Sequence, residues 1–306
     1  MITALINGAA EASVTLPEYV LIVALDGATP ATFKRAETPH IDRLRENGAY
    51  SWRAQSMLPT WSLQCYVGIL AGVPADAYEL LSDPEGWLDP RTYPVPSVFD
   101  LAHEAGLGTA MFNNWPPLHE LPRPGTVDTI FSTEPEHGSA QVTAAAIDCL
   151  HHDKPNFCFV HFDDPDAIGH EHGWESAEQC AAVARCDKQV GELLNAMTEA
   201  GTRDESLVFI LSDHGGGQIN NISHGDPEDW QFSHPVNTTV PWICCGPGIK
   251  QAHEIRTDVS ICDTAATAAH MLNLDIPASW QGKVVWDALT ERHCPGSDDL
   301  QTGGPP

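Results

Sequence analysis

Short apolar runs bounded by turn residues recur along the chain, and each predicts a buried strand. Tyr19–Leu25 (YVLIVAL) lies between Pro17-Glu18 and Asp26-Gly27, and Phe157–Phe162 (FCFVHF) runs into Asp163-Asp164-Pro165-Asp166. Residues 207–211 (LVFIL) lead to Ser212-Asp213-His214-Gly215, Thr239–Cys245 stops at Gly246-Pro247-Gly248, and residues 108–112 (GTAMF) supply a fifth strand. Helical spacing predicts helices over residues 39–47, 64–70, 97–105, 139–151, 176–200 and 259–274, the last packing through Ala265, Ala266, Ala269, Met271 and Leu272. Strands alternating with helices predict an α/β domain around a largely parallel sheet. In such sheets the ligand crevice lies beyond the carboxyl ends of the strands, which is where Asp26, Asp166 and Asp213 are expected. Pro-rich loops fill residues 73–96 and 113–124, and loops of that length are often functional. One domain over residues 1–290 and a disordered tail over 291–306, rich in Pro, Gly and Asp, complete the expected organisation.

Charge narrows the partners. Against 15 Lys plus Arg stand 42 Asp plus Glu, a formal net charge of −27, which repels nucleic acid polymers unless bound cations reverse the field locally. Such acidity fits a saline habitat or selection for solubility, and composition does not separate the two. An anionic substrate would need metal to attract it. The 9 cysteines form an odd set without a CxxC pair, so neither a disulfide framework nor a thiolate zinc site is indicated; buried reduced thiols and a cytoplasmic location are expected. The first basic residue is Lys34, and no apolar run is long enough to span a bilayer, so neither a secretory signal nor a membrane anchor is expected.

The candidate chemistry gathers at the strand ends. Asp166 and His170 stand four residues apart after one strand, and Asp213-His214 follows another with Gly215-Gly216-Gly217 behind it. Together with Asp26 these supply five ligands suited to zinc or a similar divalent ion. His224 is the preferred sixth, with His234 as the alternative. Singly, each has an ordinary structural explanation: a strand-end Asp caps the next helix, and a lone His satisfies a local hydrogen bond. Three carboxylates with associated histidines at one sheet edge are harder to explain that way. Ser62, directly before a predicted helix, offers a hydroxyl where free amides and the helix dipole would stabilise an oxyanion; Thr60 is the rival hydroxyl.

The order Asp26-Gly27, Thr38-Pro-His-Ile-Asp-Arg-Leu, Ser62 before a helix, Asp166-xxx-His170, Ser212-Asp213-His214-Gly215 and a later His-Gly resembles the alkaline phosphatase superfamily. It is most similar to the branch of type I phosphodiesterase/nucleotide pyrophosphatase-like proteins. The resemblance implies a three-layer αβα sandwich and two divalent ions, zinc first and manganese second. It further implies that Asp166, His170 and a third histidine (His224, or His234) hold one ion, while Asp26, Asp213, His214 and the nucleophile Ser62 hold the other. A small phosphorylated substrate would then be cleaved through a phosphoseryl intermediate, as diester or monoester. Phosphonate cleavage and non-catalytic binding of metal or a phospho-ligand are the alternatives.

His172 is a candidate substrate or supporting contact, and Trp87, Trp115 and Leu118 a candidate apolar wall. The branch often carries Asn-His or Cys-His three and four positions beyond the nucleophile, whereas this chain has Cys65 and Tyr66 there. Tyr66 becomes the candidate replacement for a phosphoryl contact. A sulfatase is disfavoured because no C/S-x-P-x-R context surrounds Ser62, and a metal-dependent phosphoglycerate mutase because it resembles a longer chain with an inserted domain.

Overall fold

The computed structural model describes residues 16–74, 95–134, 138–217 and 234–290. In chain order these form β1 (Tyr19–Leu25), α1 (Pro30–Arg35), α2 (Pro39–Glu46), β2 (Ala49–Gln55), α3 (Ser62–Ala71), α4 (Val98–Glu104), β3 (Thr109–Asn113), β4 (Thr129–Ser132) and α5 (Ser139–His152). There follow β5 (Phe157–Phe162), α6 (Asp164–His172), α7 (Ala177–Ala200), β6 (Ser206–Leu211), α8 (Pro235–Thr238), β7 (Thr239–Cys245), β8 (His253–Glu254) and α9 (Asp263–Met271). The strands make one sheet in the order β4-β3-β5-β1-β6-β7-β2-β8. Only β7 runs against its neighbours β6 and β2; every other pairing is parallel.

Strand β1 shows why the sheet is buried on both sides. Its alternate residues feed two separate cores: Val20, Ile22 and Ala24 one, Leu21, Val23 and Leu25 the other. A strand covered on both faces needs a continuous apolar run rather than an alternating one, which is what YVLIVAL provides. Helices α3, α4 and α9 cover the first face, and α1, α2, α5 and α7 the second. The result is the three-layer αβα sandwich. Strands β5 and β6 flank β1 in parallel, so the carboxyl ends of all three open on one edge.

Several elements lie beyond the hydrophobic pattern. Strand β2 (AYSWRAQ) buries only the small Ala49, Ser51 and Ala54, leaves Tyr50 and Trp52 half-buried and Arg53 and Gln55 exposed, and has no apolar run to betray it. The acidic stretch after β5 is helix α6, whose Pro165 sits in the first turn, where a missing N–H costs nothing. Asp166 is therefore a helix residue four positions past the strand, and the strand-end carboxylate is Asp163. Helix α9 begins at Asp263, later than the expected 259, because Val259 and Ile261 pair their backbone with Gln55 at the end of β2. Helix α3 starts at Ser62, two residues earlier than expected, with Trp61 as its N-cap. The tail over 291–306 and the segment 75–94, with Trp87, lie outside the described residues.

Among the described residues all eight cysteines are free, seven of them buried. Also among them, no helix is long and apolar enough to cross a membrane.

Candidate active site at the carboxyl edge of the sheet

Four chain segments meet beyond β1, β5 and β6. Asp26 follows β1, Asp213-His214 follows β6, Asp166 and His170 come from α6, and Ser62 opens α3. Asp213 is fixed against β1 by the Gly27 amide, which donates to its Oδ1 at 3.3 Å, while the Ala28 amide donates to Ser212 Oγ at 3.0 Å. Gly27 takes a φ of +63°, a turn that lets β1 hand its backbone amides to the β6 loop.

His214 is the hub. Its Nδ1 lies 3.0 Å from the Gly215 carbonyl, which can only accept, so Nδ1 carries the proton. Burial drives the imidazole pKa down to about 3, so the ring is neutral and Nε2 is a bare lone pair. That lone pair faces Ser62 Oγ at 3.0 Å, Asp26 Oδ1 at 3.3 Å and Asp213 Oδ2 at 3.4 Å. Four ligands about 2.0–2.1 Å from a tetrahedral ion stand about 3.3 Å apart. The ring orientation is also that of a metal-bound histidine, whose second nitrogen donates to a carbonyl. Ser62 does not cap its own helix. Its hydroxyl turns to His214 instead.

Asp166 and His170 occupy the neighbouring position. His170 Nε2 lies 3.4 Å from Asp166 Oδ2, and Asp166 Oδ1 lies 3.9 Å from His214 Nε2. The partly exposed His170 stacks edge to face on Trp174, with ring centroids 5.1 Å apart. Trp174 in turn sits among three glycines. A Cβ at Gly216 would come within 2.2 Å of its ring, one at Gly169 within 2.7 Å and one at Gly27 within 3.0 Å. These glycines belong to the β6 loop, α6 and the β1 turn, so one indole spaces the three ligand-bearing segments.

Electrostatics mark the pocket as incomplete by itself. Burial, then the Asp213, Asp166 and Asp163 carboxylates, push the Asp26 carboxyl well above its usual range. Burial, Asp163 and Asp213 do the same to Asp166, and burial, Asp164 and Asp213 raise Asp163 to about 7. Divalent cations between these groups would return them to their ionised form. The donor set is thus one a metal fits: Asp26, Asp213 and His214 offer ligand atoms within 4.8 Å of one another, and so do Asp26, His161 and Asp163.

His161 is a site residue the sequence reading missed, and Tyr66 is one it placed at the phosphoryl group. His161, a lone polar residue in the run FCFVHF, is fully buried, and its Nε2 lies 2.9 Å from Asp26 Oδ2. Tyr66 is equally buried and donates its hydroxyl to the same oxygen at 3.1 Å. It therefore does not replace a phosphoryl contact. Cys65 is buried against Ser56 and the Pro59 carbonyl.

His224 lies outside the described residues. His234 accepts from the Val236 amide through Nδ1 at the start of α8, which leaves Nε2 as its only ring nitrogen for another role. The exposed His172 stands 3.6 Å from its neighbour Glu171 on α6. Leu118 is buried in the core and so is no part of a substrate wall, whereas Trp115 packs near His161 with ring centroids 6.4 Å apart.

Comparison with known proteins agrees with this geometry. The family model of type I phosphodiesterase / nucleotide pyrophosphatase matches residues 81–230, the stretch carrying Asp166, His170, Asp213 and His214. The 2,3-bisphosphoglycerate-independent phosphoglycerate mutase of Natronomonas pharaonis is 31% identical over 163 residues, 53% of this chain and 29% of that protein. The enzyme of the same name from Halobacterium salinarum is 27% identical over 152 residues, 50% of this chain and 28% of the relative. The match thus spans less than a third of the length of these curated relatives. Murine ectonucleotide pyrophosphatase / phosphodiesterase 5, solved as an inactive variant in complex with AMP, superposes with a TM-score of 0.73 at 15% identity, covering 89% of this chain and 100% of that one. The phosphonate monoester hydrolase of Silicibacter pomeroyi gives 0.62 at 14% identity, covering 87% and 75%. Over residues 81–230 the chain is thus similar to the type I phosphodiesterase / nucleotide pyrophosphatase family, and it shares the alkaline phosphatase-like α/β fold of these solved structures.

Proposed function

We propose that this chain is a metal-dependent phosphoric ester hydrolase with Ser62 as nucleophile. Asp26, Asp213, His214 and Ser62 would hold one divalent ion, and Asp166, His170 and a third histidine, His224 or His234, the other. The carrying observation is the bare Nε2 of His214 facing three oxygens, one of them the Ser62 hydroxyl, at 3.0–3.4 Å. When bound, the ions supply Lewis-acid chemistry, lowering the pKa of the Ser62 hydroxyl and neutralising phosphoryl oxygens. Ser62 Oγ gives its proton to water and forms a bond to phosphorus as the ester oxygen leaves with its electron pair and takes a proton from water, giving a phosphoserine. Water then breaks the seryl oxygen–phosphorus bond and restores Ser62. The N-terminal end of α3, which Ser62 opens, would add the positive end of a helix dipole beside the phosphoryl charge.

The substrate is a small phosphorylated molecule, diester or monoester. AMP in the murine neighbour makes nucleotide esters the first class to try. Zinc, with manganese second, is the metal proposed for this N/O donor set. The test is metal content together with hydrolysis of bis-p-nitrophenyl phosphate, p-nitrophenyl phosphate and a phosphonate ester, in wild type and Ser62→Ala. Two ions per chain and turnover lost in Ser62→Ala are expected. Absence of both metal binding and turnover in the wild type would overturn the proposal. The Ser62–His214 contact also has the form of a serine–histidine dyad, and turnover that survives complete chelation would favour that metal-free mechanism.

A further inference from the structure

The two oxygens of Asp26 have different surroundings. Oδ2 receives the Tyr66 hydroxyl and faces His161 Nε2, whereas Oδ1 has no hydrogen-bond donor among the described residues and faces His214. His161 Nδ1 has no hydrogen-bond partner either, although the residue is fully buried. A neutral imidazole carries one proton. On Nδ1 it would be a buried, unsatisfied N–H; on Nε2 it is donated to Asp26. His161 is thus the reverse of His214: its proton points at the carboxylate, and its bare nitrogen points away. The two donors also brace one another, since the Tyr66 and His161 rings meet edge to face with centroids 5.0 Å apart.

We infer that Tyr66 and His161 form a two-donor clamp that makes Asp26 a single-oxygen ligand, turning Oδ1 toward the position shared with Ser62, Asp213 and His214. Both are positioning residues; neither touches substrate. The inference rests on the metal-site reading of the preceding section. It gives the departure at residue 66 a purpose: where the branch often carries a polar group beside the phosphoryl site, this chain points a phenol inward at the carboxylate. Two hydrogen bonds on Oδ2 fix the rotation of the carboxylate and draw charge from it. An ion on Oδ1 then keeps more of its own charge to act on the Ser62 hydroxyl.

A rival role for His161 exists, since Asp26, His161 and Asp163 could themselves hold a cation. That would move the His161 proton to Nδ1, where nothing accepts it, and metal-bound histidines normally donate from that second nitrogen.

The experiment measures Zn²⁺ stoichiometry and dissociation constants on the metal-stripped chain by chelator competition, with circular dichroism and urea midpoints to verify folding. The variants are Tyr66→Phe, His161→Leu, His161→Gln and the ligand variant Asp213→Ala. Two ions are expected in the wild type. Tyr66→Phe and His161→Leu should each weaken one of them roughly 10–100-fold and leave the other unchanged. His161→Gln, which keeps a side-chain donor, should recover most of that loss. Tyr66→Phe deletes a single oxygen and carries the test alone if His161→Leu does not fold. Unchanged affinity in Tyr66→Phe and His161→Leu, with an ion lost in Asp213→Ala, would overturn the clamp and spare the metal site. A third wild-type ion lost in His161→Leu would overturn it in favour of the rival site. Intact binding in Asp213→Ala would overturn the metal-site reading itself, and the clamp with it.

Discussion

Stripping divalent ions should expose the mutual repulsion of the buried carboxyls as a fall in stability above about pH 6.5. Asp163 titrates near 7 in the folded chain against 3.8 for an ordinary carboxyl, and Asp26 and Asp166 are raised in the same direction. A raised carboxyl holds its proton longer in the folded state than in the unfolded one. Its contribution is therefore complete below the unfolded pKa and is lost as pH rises through the folded one. The histidines act with the opposite sign. His161 and His214, driven from 6.5 to about 3 by burial, gain stability as pH rises across that interval and level off only about one pH unit above it. Below pH 6.5 the two sets oppose each other in full and above it the opposition fades, so the decisive window is from 6.5 to 8. Above it, buried thiols such as Cys158, raised by burial, add a loss of the same sign as the carboxyls.

Within that window the loss from Asp163, about 0.8 kcal/mol, is offset by the remaining gain of the two histidines, about 0.4 kcal/mol each, so the net fall comes from each further carboxyl that stays protonated throughout, up to about 2 kcal/mol at about 1.4 kcal/mol per pH unit. Saturating Zn²⁺ replaces those protons, so the slope should flatten. Stability should also rise by about 2.7 kcal/mol at a hundredfold excess over the dissociation constant. Urea unfolding at pH 6.5, 7.25 and 8, with chelator and with Zn²⁺, reads both effects. A metal-free curve that is flat over the window and matches the metal-loaded one would refute the crowded-carboxylate account.

Three other outcomes follow from the packing. Asp166→Ala or His170→Ala should lose about one metal per chain and Asp213→Ala the other, measured by elemental analysis; unchanged stoichiometry in either group breaks the assignment. Gly216→Ala places a Cβ 2.2 Å from the Trp174 ring, so the indole must move, at a cost of about 1–3 kcal/mol in urea unfolding. It should also weaken the His170 ion, and a neutral result would show that Trp174 spaces nothing. Asp187→Ala removes the carboxylate that accepts the His40 and Ile41 amides at 3.1 and 2.8 Å, at a helix start whose N-cap Thr38 makes no side-chain capping bond. A loss of about 1–3 kcal/mol is expected, with metal content unchanged.

What the sequence disclosed and what it concealed divide along a physical line. Asp26 and the Asp213-His214 pair were legible because a strand buried on both faces must be a continuous apolar run, so the polar residue that ends it stands out. The αβα layering followed from the same runs. Asp166 and His170 were legible as a spaced pair, although their helix was hidden behind Asp-Pro-Asp. Residues that act across the fold left no such mark. Asp187 lies 146 positions from the Ile41 amide it accepts, and nothing in the motif Thr38-Pro-His-Ile points to it.

Tyr66 is the sharpest instance. One position in α3 decides whether a side chain looks out at a substrate or in at Asp26, and the hydrophobic pattern does not distinguish these when nearly the whole helix is buried: nine of its ten residues are, and Ser62 alone stays partly open. Ligands stand out in sequence because they interrupt apolar runs at strand ends. The residues that orient them lie within those runs, as His161 does in β5, and are recognised only when the far side of the site is in view. The Asp26 clamp, contributed by α3 and β5 together, is therefore the part of this centre most open to change without disturbing the motif order that marks the family.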